Sequence, residues 1–112
     1  AAKKGYDDAE YILGCLYMEG DGVEKNSAKA AYWLMKAANQ SHAMALNNLG
    51  ILYAKGEGVE QNVEVASKSF QKAIALGCDD AEANLKRMRQ KLWWQEHVVS
   101  KVRFLFKHWR AS

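Results

Sequence analysis

The sequence predicts an all-α fold, a solenoid of antiparallel helix pairs, and three observations predict it. The 112 residues contain no proline and are 49% hydrophobic, so nothing blocks long helices and there is enough apolar side chain for a core. The chain repeats itself at a spacing of 36 residues. Within each repeat the apolar residues return at three-and-four spacing, the mark of a helix with one buried face.

Shifted by 36 places, Leu13-Gly14-Cys15-Leu16-Tyr17 falls on Leu49-Gly50-Ile51-Leu52-Tyr53, and Gly20-Asp21-Gly22-Val23-Glu24 falls on Gly56-Glu57-Gly58-Val59-Glu60. Thirteen of 36 positions are identical, where average composition gives roughly 2. A fixed period of this length is the signature of a stacked array.

The first helix of each unit is expected to begin at an acidic cap. Asp7 with Glu10, and Asp79 with Glu82, have the spacing of an N-cap with a reciprocal acid at the third helical position. Ala9, Leu13, Leu16 and Tyr17 then form the buried stripe. Gly20 and Gly22, like Gly56 and Gly58, supply the positive φ that a tight reversal needs, with Val23 and Val59 plugging the hairpin.

Asn26 and Asn62 stand where the second helix needs a cap. That helix carries Ala30, Trp33, Leu34 and Ala37 in one repeat and Ala66, Ser69, Phe70 and Ala73 in the next. The alanines let helices approach closely. Gly14 and Gly50 lie mid-helix, where glycine costs up to ~1 kcal/mol relative to alanine; their repetition implies close contact with a neighbouring helix.

A third unit starts with Asp79-Asp80-Ala81-Glu82 and Leu85, but Lys86 stands at the glycine position, so the regular stack is expected to end there. Ala1-Ala2 match Ala37-Ala38, which reads as the tail of a preceding repeat.

Leu13-Gly14-x-x-Tyr17-x-x-Gly20-x-Gly22-Val23 followed by Ala30-x-x-Trp33-x-x-Lys36-Ala37-Ala38 resembles the Sel-1-like repeat, a relative of the tetratricopeptide repeat. The resemblance covers residues 1–88. It implies a right-handed α-α superhelix whose first helices line a concave face, and an adaptor role in protein complexes. Two departures stand out: Ser69 replaces the tryptophan of the family, and Lys86 replaces the glycine. A secreted branch of the family staples each repeat with a disulfide. Cys15 and Cys78 are 63 positions apart with no short-range partners, so the chain does not resemble that branch, and two packed thiols are expected.

Catalytic, metal and cofactor sites are not expected. The Gly-x-Gly turns lack the third glycine of a dinucleotide loop, Lys25 and Gln61 standing in its place. His42, His97 and His108 are scattered, with no pair at ligand spacing. The expected function is therefore that of a non-enzymatic scaffold holding a peptide or protein segment, with no small-molecule substrate. Candidate concave-face residues are Glu10, Tyr11, Met18, Asn47, Ile51 and Asn84; Asn47 and Asn84 are favoured because amides can bond an extended backbone. Tyr11 and Ile51 also fit plain packing between repeats.

Residues 89–112 form a separate basic, aromatic segment. Net charge is +3 overall, but residues 1–84 carry −4 and residues 85–112 carry +7, with Glu96 the single acid of the latter. Leu85, Met88, Leu92, Val99, Val102, Phe106 and Trp109 suggest one long helix, or two broken near residues 96–100. Trp93, Trp94, Arg103, Phe106 and Trp109 are its candidate surface residues. The favoured expectation is a C-terminal capping helix folded back on the last repeat, as terminal faces of stacked arrays require, so that deletion after Met88 unfolds the protein. Self-association or a partner helix ranks second. A basic amphipathic helix on a membrane surface or nucleic acid is kept as the alternative function, below a protein partner. No apolar run reaches the ~18 residues of a membrane span; the compartment stays open, with a lean toward cytoplasmic over periplasmic.

Overall fold

Asn26 and Asn62 do begin the second helices. In the computed structural model, which describes residues 2–111, both residues are extended (φ −149° in each), and their side chains accept from the N–H of Lys29 and Val65 at 3.1 Å. The chain runs through α1 (Ala2–Glu19), α2 (Ser27–Asn39), α3 (Ala43–Lys55), α4 (Val63–Ala75) and α5 (Asp79–Trp94). A π-helical turn at Gln95–Val99 then leads into α6 (Ser100–Ala111). No strand occurs among the described residues.

The two hairpin turns are copies of each other in their hydrogen bonds. Gly20 N–H donates to Leu16 O at 2.8 Å and Asn26 N–H to Tyr17 O at 2.9 Å; Gly56 donates to Leu52 O at 2.8 Å and Asn62 to Tyr53 O at 3.0 Å. All four turn glycines have φ between +72° and +77°, where a side chain is strained. The second turn is seated on the first repeat: a Cβ at Gly58 would collide with the Ser27 carbonyl, whereas Gly22 meets nothing within 4 Å. Val59 accordingly packs on the core, but Val23 is exposed and does not plug its hairpin.

The core follows the expected stripes of the second helices, but on α1 Ala9 is exposed and Leu13, Leu16 and Tyr17 are only half-buried. Ala30, Leu34, Ala37, Ala66, Ala73 and Leu52 are wholly inaccessible and Phe70 is nearly so. The mid-helix glycines explain themselves here. A Cβ at Gly14 would lie 2.7 Å from Leu34 Cγ, and one at Gly50 would lie 2.7 Å from Phe70 Cε1. Leu34 and Phe70 are equivalent across the 36-residue period; each glycine makes room for the large side chain of the second helix in its own repeat.

Two expectations about helix ends need correction. The chain breaks one place earlier than the acidic caps suggest, because His42 and Cys78 donate their N–H to Ala37 O and Ala73 O and are thereby held extended. Cys78 caps α5 without a side-chain bond, and Asp79 falls in the first turn with Asp80 and Glu82, where carboxylates favour the helix dipole. Asp7 lies inside α1, its Oδ1 shielded and without a hydrogen bond. The match of Ala1 to Ala37 lies outside the described residues.

The tail differs too. The cap of the stack is the first part of α5, which buries Ala81 and Leu85 and lays Met88 against the core. Beyond it nothing folds back among the described residues: α6 touches only the π-helical turn, and the molecule extends to 68 Å along its longest axis against 32 and 18 Å across. The reason lies in the 36-residue register. Leu92 and Trp94 stand where Gly20 and Gly22, then Gly56 and Gly58, make the reversal, and Val98 stands at the asparagine cap. With no residue suited to positive φ and no cap, the helix continues.

Candidate binding surface

Adjacent first helices are tied by side-chain rungs, and three of the six expected site residues, Tyr11, Asn47 and Asn84, are members of them. Asn47 is buried, and its Oδ1 accepts from Asn84 Nδ2 at 2.9 Å. The two amides expected to meet a peptide thus meet each other across α3 and α5. Glu10 accepts from Gln40 Nε2. Tyr11 is half-buried and stacks on the His42 ring, centroids 4.7 Å apart. Burial first, and a hydrogen bond to Cys15 second, push its phenol up to about 12. Asn48 Nδ2 donates to Cys15 Sγ at 3.4 Å, and Met18 packs on the core.

His42 is the residue that sequence reasoning missed. Its Nδ1 accepts from Ala45 N–H at 3.2 Å, and its Nε2 lies 2.9 Å from Asp8 Oδ1. An imidazole that accepts at Nδ1 carries its proton on Nε2 and donates it to the carboxylate. One ring therefore caps α3 and clamps it to α1. Its place directly before Ala43, one residue ahead of the break set by Ala37, was the available signal.

Where α5 diverges from α3, the rungs stop and a cleft of about 330 Å³ opens. Ile51, Ala54, Val63, Phe70, Met88 and Leu92 give it an apolar floor; Asn84, Gln61 and Gln95 add amides; Lys55, Arg87 and Lys91 stand around it. Three cations and no carboxylate line it. Of the six expected concave-face residues, only Ile51 and Asn84 reach this cleft. Asn84 spends one N–H on Asn47 and keeps its carbonyl and second N–H. The contribution of the turn residue Gln61 and of Leu92 was not visible from helix periodicity, because both depend on the missing third hairpin.

The tail residues lie elsewhere. Trp93, Trp94, Phe106 and Trp109 are each more than half exposed, as is Phe104, and Arg103 is exposed beside them. No group of three or more metal-ligating side chains occurs among the described residues, and Cys15 and Cys78 are free thiols. No helix of the described residues is long and apolar enough to cross a membrane.

Comparison with known proteins agrees with this geometry. Residues 7–42 and 43–78 each match the Sel1 repeat. A Sel1 repeat protein from Oxalobacter formigenes is similar in structure with a TM-score of 0.68 and 40% identity, over 70% of this chain and 32% of that one. A protective antigen of uropathogenic Escherichia coli strains, displaying an SLR fold, gives 0.67 and 40% over 71% of this chain and 17% of that one. Cysteine-rich protein B of Helicobacter pylori gives 0.67 and 32% over 75% of this chain and 63% of that one. The chain thus spans less than two thirds of each of these proteins. No significant match is found among curated proteins. Two consecutive units with the same glycine turns, asparagine caps and glycine-to-second-helix contacts show that the chain belongs to the Sel1 repeat family.

Proposed function

We propose that the chain is a non-catalytic scaffold that holds a protein segment in the cleft between α3 and α5. Sel1 repeat proteins are generally scaffolds for protein interaction, and the observation that supports this particular site is the character of its lining. An apolar floor ringed by Lys55, Arg87 and Lys91 suits a segment that presents one or two large apolar side chains flanked by carboxylates. Asn84 offers the segment a backbone hydrogen bond. The other concave-face candidates, Glu10, Tyr11, Met18 and Asn47, act in this reading by fixing how the first helices lie against one another.

The test is a selection of random peptides displayed on phage against the full chain. The selected peptides should combine an aromatic or aliphatic anchor with Asp or Glu, and should lose at least tenfold in affinity toward Arg87→Glu/Lys91→Glu. Both residues are exposed, so the double variant should melt as the parent does. Peptides without acidic residues, or affinity indifferent to the double variant, would overturn the assignment.

A further inference from the structure

The 36-residue register does not stop at the last repeat. Ala30 and Ala66 are followed at the same spacing by Val102, Leu34 and Phe70 by Phe106, and Ala37 and Ala73 by Trp109. Helix α6 is therefore a second helix in register, yet it cannot dock as one. Ala37 and Ala73 have no accessible surface at all, so a tryptophan in that place has no room. At Gly50 even a Cβ would lie 2.7 Å from the Phe70 ring, and the corresponding pair is Lys86 with Phe106. The same clash forbids α6 from docking in repeat geometry on α5 of a second copy.

What remains is an amphipathic helix standing clear of the stack. Val102, Leu105, Phe106 and Trp109 follow i, i+3, i+4, i+7 spacing along one face, each between 56% and 73% exposed. Lys101 precedes the stripe, Arg103 and Lys107 lie between its members in sequence, and no acidic residue occurs from His97 to the last residue. Two such tails would repel one another, which disfavours pairing by α6 alone. A nucleic acid would engage the cations and leave the Val, Leu, Phe and Trp stripe in water. An anionic bilayer surface satisfies both at once: the apolar side chains enter the boundary between headgroups and acyl chains while the cations stay among the phosphates. At 12 residues, or about 18 Å at 1.5 Å per residue, the helix is suited to lying in that surface and not to crossing it.

We infer that α6 is a peripheral anchor for anionic phospholipid membranes, holding the repeats at the bilayer surface through the Val102–Leu105–Phe106–Trp109 stripe and its flanking cations. The test mixes the full chain with vesicles of phosphatidylcholine containing phosphatidylglycerol, and with vesicles of phosphatidylcholine alone. Co-sedimentation and a blue shift of tryptophan emission are expected with the first only. Leu105→Glu should abolish both, and Lys101→Glu/Arg103→Glu/Lys107→Glu should weaken binding by at least on the order of a hundredfold, the loss of three basic contacts at roughly fivefold each. Because α6 makes no contact with the repeats among the described residues, the variants should keep the parent melting curve, which separates anchoring from folding. The inference is overturned if millimolar anionic lipid leaves the protein in solution, or if Leu105→Glu binds as the parent does. It is equally overturned if the tail instead drives a concentration-dependent dimer or duplex DNA binding with no affinity for vesicles.

Discussion

Two single residues hold information that their repeat partners make readable, and a third carries a pH effect. Ser41 sits at φ +62° where the equivalent residue in the next repeat is Gly77 at φ +94°. A side chain in that region costs about 1–2 kcal/mol, and glycine returns part of the gain through its freer unfolded state. Ser41→Gly should therefore raise stability by about 0.5–1 kcal/mol in urea unfolding. Gly50→Ala acts in the opposite direction. Its methyl would press on the Phe70 ring, and even after the helix-propensity gain of up to ~1 kcal/mol a net loss of about 1–2 kcal/mol is expected. The loss should shrink when Phe70 is replaced by Ala, not by Leu, because Leu34 would meet a Cβ at Gly14 just as closely. Tyr11 adds a pH effect. Its phenol loses a proton near 12 in the folded chain against 10.0 ordinarily, so the neutral form is the one that folding favours. Its contribution is complete below pH 10 and drains away as pH rises from 10 toward 12. A tyrosine titrating near 12 should be seen in the ultraviolet absorbance and should vanish in Tyr11→Phe.

At the scale of the element, the rungs between first helices replace the peptide contacts that the amides were expected to make. Asn47→Ala would leave Asn84 N–H without its partner and should cost about 1–2 kcal/mol of stability, whereas Arg87→Glu should spare stability and strike binding. A melting curve beside a peptide titration separates the two. Helices, turns and core were legible because each is dictated locally: glycine for positive φ, asparagine for a free N–H, alanine where backbones close up. The rungs were not, because the pairing of Cys15 with Asn48, or Asn47 with Asn84, depends on how far one helix slides along the next. That offset is set by seating Gly58 on Ser27 and by the clamp of His42 on Asp8, and neither is a property of one helix. The cleft was hidden for a related reason. It exists because a third hairpin is absent, and its floor joins residues of α3, α4 and α5 that no periodicity links.

At the scale of the whole molecule, the repeats and the tail are two units with separate sources of order. A stacked array gains stability from neighbour contacts, and here these end with Ala81, Leu85 and Met88 on α5. Among the described residues helix α6 packs on no helix of the repeats and meets only the π-helical turn, and a helix below ~12–15 residues is marginal in water without tertiary packing. The expectation that losing the tail unfolds the protein therefore moves to a different boundary. Truncation after Gln95 should leave the unfolding midpoint of the repeats within about 2 °C of the parent, since it removes no core contact. Leu85→Ala, which empties a buried site at the end of the stack, should cost about 2–4 kcal/mol. Hydrogen exchange shows the same division in one experiment. Amides of α3, flanked by helices on both sides, should exchange only on global opening, and those of α6 should exchange with little protection. Equal protection along both units, or a truncation that lowers the midpoint by 10 °C, would mean that the tail packs on the repeats in solution.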